Sequence, residues 1–235
     1  MGIAEIDIAV LAGGMGTRLC GVLPETPKIL APIRGKAFLE HLLDWLIRQG
    51  ARRVILCLGY RGGDVLTYLK ARAFAPLEIR TLVEPEPLGT GGAIALARPL
   101  LTSEPVLVIN GDTILDADLN AFLVAHRASN AEASILCAEV QDPCRYGRLE
   151  IDAHDRILRF AEKDATKGPA WINGGYYLFG HATLDAIAKL STGSLERDIL
   201  QKMRPGTIHA SRTHGRFLDI GTPETLGLAS EVLMS

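Results

Sequence analysis

Apolar and polar positions change rhythm midway along the chain. In the first half, short apolar runs at residues 6–11, 54–58 and 106–109 alternate with segments of helical spacing. Phe38, Leu39, Leu42, Leu43 and Leu46 recur every three or four positions, with Lys36, Glu40, Asp44 and Arg48 between them, which predicts a helix with one buried face. Val54-Ile55-Leu56-Cys57-Leu58 has no polar face, so it predicts a central strand covered by helices on both sides. Residues 61–72 and 89–101 read as crossover helices between such strands. The predicted class is α/β, with a Rossmann-like, doubly wound, mostly parallel sheet.

After residue 130 the runs shorten, to 133–140, 147–151, 157–162 and 170–179, with turn signals at Asp142-Pro143 and His154-Asp155. These predict antiparallel additions and a lid-like subregion rather than further βαβ units. Helical patterns return at 184–190 and 195–203, and a last helix opens at Thr222-Pro223-Glu224 with proline in its first turn. No internal repeat or linker interrupts the chain, so a single domain over residues 1–235 is expected.

Composition narrows the partners more than the fold. The chain has 235 residues, 48% hydrophobic and 22% charged, enough for one large α/β domain with a buried core. A net charge of -2 provides no broad attraction for nucleic acid or an anionic membrane, so any phosphate binding must be local. Cys20, Cys57, Cys137 and Cys144 have neither Cys-x-x-Cys spacing nor histidine partners for zinc, and read as reduced thiols. No cationic start precedes an apolar core, and no stretch reaches the ~18 apolar residues of a membrane span. A cytoplasmic location is expected. The six histidines form no metal-binding pair, and no Gly-x-Ser-x-Gly elbow occurs, so hydrolytic zinc or serine chemistry is unsupported.

The first apolar run empties into Leu11-Ala12-Gly13-Gly14-Met15-Gly16-Thr17-Arg18-Leu19, with Pro27-Lys28 shortly after. Glycine N–H groups can approach anionic oxygens while Arg18 and Lys28 neutralise them, which makes a phosphate cradle. A Walker loop needs a glycine-lysine pair that is missing here. A dinucleotide fingerprint needs a third glycine where Leu19 stands. Asp112, in Asn110-Gly111-Asp112, follows the run at 106–109, where ligands bind in open α/β sheets, and Gly111 would let a base or ribose lie close. A helix cap or an Asx turn would also explain Asp112. Asp219, between apolar residues in Phe217-Leu218-Asp219-Ile220, would suffer desolvation unless it met a cation, either a metal or an arginine.

Leu-Ala-Gly-Gly-x-Gly-Thr-Arg-Leu followed by Pro-Lys resembles the signature of the sugar-1-phosphate nucleotidyltransferases, and the likeness runs in family order from Leu11 to Pro223. It implies the nucleotide-diphospho-sugar transferase type of fold, with residues 1–130 as a nucleotide-binding half and 131–235 as a sugar-phosphate-binding half. It further implies Mg²⁺ held by Asp112 and Asp219, and a phosphate loop built from Leu11, Ala12, Gly13, Gly14, Gly16 and Thr17. Arg18 and Lys28 would neutralise the departing pyrophosphate, and Lys163 the attacking phosphate. Glu162 with Lys163, Tyr146-Gly147 and Asn173-Gly174 would form the sugar site. The stretch from Glu84 through Pro87 to Gly89-Thr90 resembles the base loop in its guanylyl-transferring form. A carboxylate at Glu84 suits the two donors of guanine's Watson–Crick edge.

The partners so implied are GTP and a sugar 1-phosphate, and Pro-Leu-Gly-Thr-Gly-Gly-Ala-Ile, Arg-Tyr-Gly and Asn-Gly-Gly-Tyr-Tyr resemble members that use a heptose 1-phosphate for surface polysaccharide. The alternatives left open are GTP with mannose 1-phosphate, UTP or dTTP with a hexose or amino-sugar 1-phosphate, and a nucleotide-sensing module without turnover. Oligomeric state is also open, a homodimer included. One departure is Ile29 after Pro27-Lys28, where the family often has a second proline. It leaves the lysine's charge in place and alters how the loop is braced.

Overall fold

The structure, a computed structural model, describes residues 2–19, 21–23, 25–161 and 168–232. The expectations placed on Cys20, Glu162 and Lys163 lie outside those residues. In chain order the elements are β1 (Asp7–Ala12), β2 (Pro32–Ile33), β3 (Lys36–Ala37), α1 (Phe38–Arg48), β4 (Arg53–Leu58), α2 (Gly62–Lys70), β5 (Glu78–Val83), α3 (Gly89–Ala97), β6 (Val106–Asn110), β7 (Thr113–Leu115) and α4 (Leu119–Ser129). They continue as β8 (Ala133–Val140), β9 (Arg148–Ile151), β10 (Arg156–Ala161), β11 (Ala170–Phe179), α5 (His181–Ile187), β12 (Ile208–Thr213), β13 (Phe217–Asp219) and α6 (Pro223–Val232).

Among the described residues a nine-stranded sheet runs in the order β5-β4-β1-β6-β11-β8-β12-β10-β9. The four strands β5, β4, β1 and β6 are parallel, and the apolar runs of the inner three, β4, β1 and β6, suit strands covered on both faces, while β5 at the edge alternates with Glu78 and Arg80. Successive residues feed opposite faces. Ile8 and Val10 of β1 with Val54, Leu56 and Leu58 of β4 join one core cluster. Ala9, Ile55 and Cys57 join the other. That period of two, buried on both sides, fixes the strand ends where the glycine loop and Asp112 emerge.

The second half departs from the expected lid. β11 is antiparallel to both β6 and β8, β12 is parallel to β8, and β10 pairs antiparallel with β12 and β9. Ile172 of β11 also pairs with Arg148 of β9, so these strands curl back on themselves as part of the one sheet. The reason is burial: Ile208 and Ala210 of β12 point into the same core as Ile135 and Cys137 of β8, which leaves no seam for a separate flap. The helix expected at 195–203 is instead a π-helical turn, Leu195–Ile199, followed by a 3₁₀ turn, Leu200–Lys202.

Candidate active site

β1 and β6 set the phosphate loop and Asp112 side by side. Leu11 pairs with Asn110, and Gly111 N–H donates to the Leu11 carbonyl at 2.8 Å. A Cβ on Gly111 would stand 2.6 Å from that carbonyl, so this glycine serves the close approach of two strands of the protein. Gly16 turns with φ +59°, and a Cβ there would meet the Lys28 Cβ at 3.2 Å. The loop therefore folds back over Lys28, whose backbone opens the 3₁₀ turn Lys28–Leu30.

Two cavities meet at this point. One of about 390 Å³ is lined by Leu11, Ala12, Gly13, Gly14, Glu84, Pro87, Gly89, Thr90 and Gly111, the residues expected for the nucleotide. The other, about 440 Å³, is lined by Thr17, Arg18, Tyr146, Gly147, Asn173 and Asp219. Gly16, Lys28, Asn110 and Asp112 line both. Thr17 and Arg18, expected around the nucleotide, thus belong to the second cavity. Gly174 borders neither. A Cβ on it would lie 2.6 Å from the Leu136 carbonyl of β8, so its smallness serves sheet packing.

The two aspartates face a common cavity because a small second sheet brings their strands together. β7 and β13 pair antiparallel with Asp219 opposite Thr113, and Ile220 N–H donates to the Asp112 carbonyl at 3.0 Å. Asp112 does not cap the following helix. Asp118 does, its Oδ1 accepting from Asn120 and Ala121 N–H at 2.8 and 3.0 Å. The Asp112 carboxylate instead meets the Lys28 ammonium at 2.5 Å. Asp219 Oδ1 accepts from Gly221 N–H at 2.5 Å and Oδ2 from the Tyr146 hydroxyl at 3.3 Å. Among the described residues no arginine pairs with Asp219, and both of these donors are neutral. Two carboxylates, with Asn110 beside them, are hard oxygen donors of the kind Mg²⁺ takes alongside substrate oxygens and water. Among the described residues no cluster of three or more His, Cys, Asp or Glu that could hold a metal occurs.

Burial first, and then the negative charge of Asp219, push the Tyr146 phenol up to about 12, which keeps its proton available for that carboxylate. Across the cavity, β11 carries a bulge between Asn173 and Tyr176, with Gly175 at φ +80°. The bulge turns Asn173 inward, where its Oδ1 accepts from Gly175 N–H at 3.0 Å and its Nδ2 donates to the Tyr177 hydroxyl at 2.9 Å. Asn173 is therefore partly engaged before any ligand arrives. In the first cavity, Glu84 Oε2 accepts from Leu88 N–H at 3.0 Å, while a Cβ on Gly13 would stand 2.6 Å from Oε1. Burial raises the pKa of Glu84, against the lowering effect of the Leu88 N–H.

Sequence reasoning missed several wall residues of the second cavity: Arg145, Tyr177, Glu196, Phe217 and Gly221. Arg145, in Arg-Tyr-Gly, had a signal in its motif. Glu196 had none, since a glutamate in a helix-like stretch reads as a solvated side chain.

A strand-to-glycine loop, a lysine–aspartate pair at the neck between two cavities and a glycine-rich helix N-terminus at Gly89-Thr90 are the architecture of a nucleotidyl transferase. A nucleotidyl transferase family model matches residues 8–234, and the chain belongs to that family. Over 92% of its length the chain is 34% identical to a D-glycero-alpha-D-manno-heptose 1-phosphate guanylyltransferase from Campylobacter jejuni, covering 94% of that protein. It is also 34% identical to one of the same name from Aneurinibacillus thermoaerophilus, covering 97% of this chain and 98% of that one. The crystal structure of HddC from Yersinia pseudotuberculosis complexed with GMP-PN superposes with a TM-score of 0.86 at 35% identity, covering 96% of this chain and 98% of that one.

Proposed function

We propose that the chain transfers GMP from GTP to D-glycero-α-D-manno-heptose 1-phosphate, giving a GDP-heptose for surface polysaccharide and pyrophosphate. The observation that carries this reading is the position of Lys28 and Asp112, which line both cavities. A nucleotide in one cavity and a sugar phosphate in the other would meet at these two residues. The names of the relatives support heptose 1-phosphate as acceptor, and the Glu84 carboxylate in the first cavity supports guanine.

An oxygen of the sugar phosphate attacks the α-phosphorus in line. The bond from that phosphorus to the bridging oxygen breaks, and pyrophosphate leaves with the electron pair. A phosphate dianion is already a competent nucleophile, so no covalent enzyme intermediate is needed, and the protein's work is positioning and charge neutralisation. Lys28, and Arg18 from the wall of the second cavity, would neutralise the departing pyrophosphate, and Lys163 the attacking phosphate. Asp112 and Asp219 would hold Mg²⁺, which screens the repulsion between two polyanions. Asn173, Tyr146, Gly147 and Glu162 would orient the sugar. Among the described residues no helix is long and apolar enough to cross a membrane.

The test is a matrix of GTP, ATP, UTP and dTTP against heptose, mannose, glucose and amino-sugar 1-phosphates with Mg²⁺, read by the mass of the nucleotide sugar and by pyrophosphate release. GDP-heptose as the dominant product is expected. A UDP- or dTDP-sugar in its place overturns the guanylyl assignment. GTP binding without pyrophosphate release across the panel overturns transfer and favours a nucleotide-sensing module.

A further inference from the structure

The π-helical turn Leu195–Ile199 carries Glu196 to the wall of the sugar-side cavity, which it shares with Asn173, Tyr177 and Asp219. Glu196 is exposed, and among the described residues its carboxylate has no hydrogen-bond or ion-pair partner. Its neighbours in the turn are all engaged: Arg197 pairs with Asp198, and Asp198 Oδ2 accepts from Ser194 N–H at 2.8 Å. Glu196 and Tyr177, the phenol that receives Asn173, line the same cavity, and after burial the negative charge of Glu196 is the next largest cause of the raised pKa of Tyr177. A π turn is a strained insertion that tends to occur at functional sites because it re-aims side chains.

The same turn is tied to the nucleotide loop. Thr90 Oγ1 accepts from Leu195 N–H at 2.8 Å, Gly91 N–H donates to the Gly193 carbonyl at 2.9 Å, and Gly193 N–H donates to the Leu88 carbonyl at 2.8 Å. A Cβ on Gly89 would lie 2.5 Å from the Gly193 carbonyl, so the backbones of the two loops touch. Residues 88–91 and 193–195 are one rigid clasp. The base loop is on one end of it, and Glu196 is on the other.

We propose that Glu196 accepts hydrogen bonds from hydroxyls of the acceptor sugar and selects among sugar 1-phosphates, and that Thr90 is the positioning residue that sets it there. The inference rests on the transfer reaction proposed above. An ionised carboxylate accepts from two neighbouring hydroxyls at once, and such charge-assisted bonds in a walled cavity discriminate strongly between sugars that differ in one hydroxyl. Because the clasp joins both loops, a change at Thr90 reaches the acceptor through Leu195.

Steady-state kinetics of the wild type, Glu196→Gln, Glu196→Asp, Thr90→Val and Thr90→Ser test this with GTP and the sugar 1-phosphate panel. Glu196→Gln is expected to raise the acceptor KM about tenfold or more while the GTP KM and kcat stay within about threefold, the pattern of lost acceptor binding. Thr90→Val removes the hydroxyl that receives Leu195 N–H and is expected to raise the acceptor KM as well, with Thr90→Ser restoring it. An unchanged acceptor KM in both Glu196 variants overturns the inference, as does an effect confined to GTP. The wild-type arm separates the two readings: if it uses UTP in place of GTP, the guanylyl assignment falls while Glu196 is still judged on the acceptor KM. If it releases pyrophosphate with no pair, both fall.

Discussion

The Lys28 ammonium stands 2.5 Å from the Asp112 carboxylate, in the wall shared by the two cavities beside the glycine loop. The lysine is mostly buried and the aspartate only partly, with side-chain exposures of 16% and 37%. Each therefore offsets the other's charge, with solvent reaching the pair from the aspartate side. When a triphosphate arrives, the ammonium has a second anion to meet and the carboxylate can turn to a metal ion. Asp112→Asn keeps the shape and removes the charge, so it should lower kcat about 10²-fold or more, the scale of losing one preorganised electrostatic group. Turnover near the wild-type value, measured by pyrophosphate release, would exclude a metal role for Asp112.

Gly215 lets the backbone close at one end of the β7–β13 pair. A Cβ there would sit 1.6 Å from the Asp116 carbonyl, an overlap that no side-chain motion relieves. Asp116 N–H donates to the Arg216 carbonyl at 2.9 Å, so the same contact closes the end of the β7–β13 pair that carries Asp219 opposite Thr113. Gly215→Ala must slide β13 along β7. It should cost about 2 kcal/mol or more in urea unfolding and lower kcat even at temperatures where the variant remains folded. A variant with wild-type stability and turnover would show that the small sheet does not hold the site.

The legible and illegible parts of this chain divide along a physical line. Runs such as 54–58 and 106–109 were readable because a strand covered on both faces tolerates no polar residue, and the strand ends then located the glycine loop and Asp112. Asp219 was readable as a carboxylate in an apolar setting. β5 and β12 were not, because Glu78, Arg80 and Arg212 interrupt their patterns where those strands meet solvent. Glycine was the most ambiguous signal. Gly14 has open space around it, whereas Gly111 and Gly174 are small because Leu11 and Leu136 backbone press on them. A sequence shows that something lies close to a glycine, and not whether it is ligand or protein. The lid failed for a related reason: turn signals mark where strands end, while the partner of each strand depends on the core it fills.

Glu84 offers a test of base choice. Its Oε2 is held by Leu88 N–H at 3.0 Å, and the remaining acceptor capacity borders the nucleotide cavity. In Glu84→Gln the amide oxygen can keep the Leu88 bond, which leaves the NH₂ group facing the donors of guanine. GTP should then lose about 10- to 100-fold in kcat/KM, the cost of one mismatched polar contact, while a pyrimidine nucleotide loses less. Equal losses for GTP and UTP would mean that Glu84 braces the loop without reading the base.

Near the start of β6 and β8, at the opposite end of β6 from Asp112, His126 makes stability depend on pH. Its Nδ1 and the Ser134 hydroxyl lie 2.7 Å apart, and burial, helped by the charges of His209 and Arg127, lowers its pKa from 6.5 to about 4. Between those values the unfolded chain binds a proton that the folded chain refuses, so this group's effect on stability is nil at neutral pH and grows more unfavourable as the pH falls from 6.5 to about 4. Below that range both states are protonated and the loss stops growing. The ring borders a wide-mouthed cavity lined also by Glu104 and Glu132, where water screens the charge, so the loss should be about 1–2 kcal/mol rather than the full value of the shift. His209 has a lowered pKa as well, which makes the informative quantity the difference between wild type and His126→Gln, a variant able to keep a bond to Ser134. Urea unfolding at pH 7.5 and pH 4.5 should show the variant losing about 1–2 kcal/mol less than the wild type over that interval. Identical losses would place the acid sensitivity elsewhere in the fold.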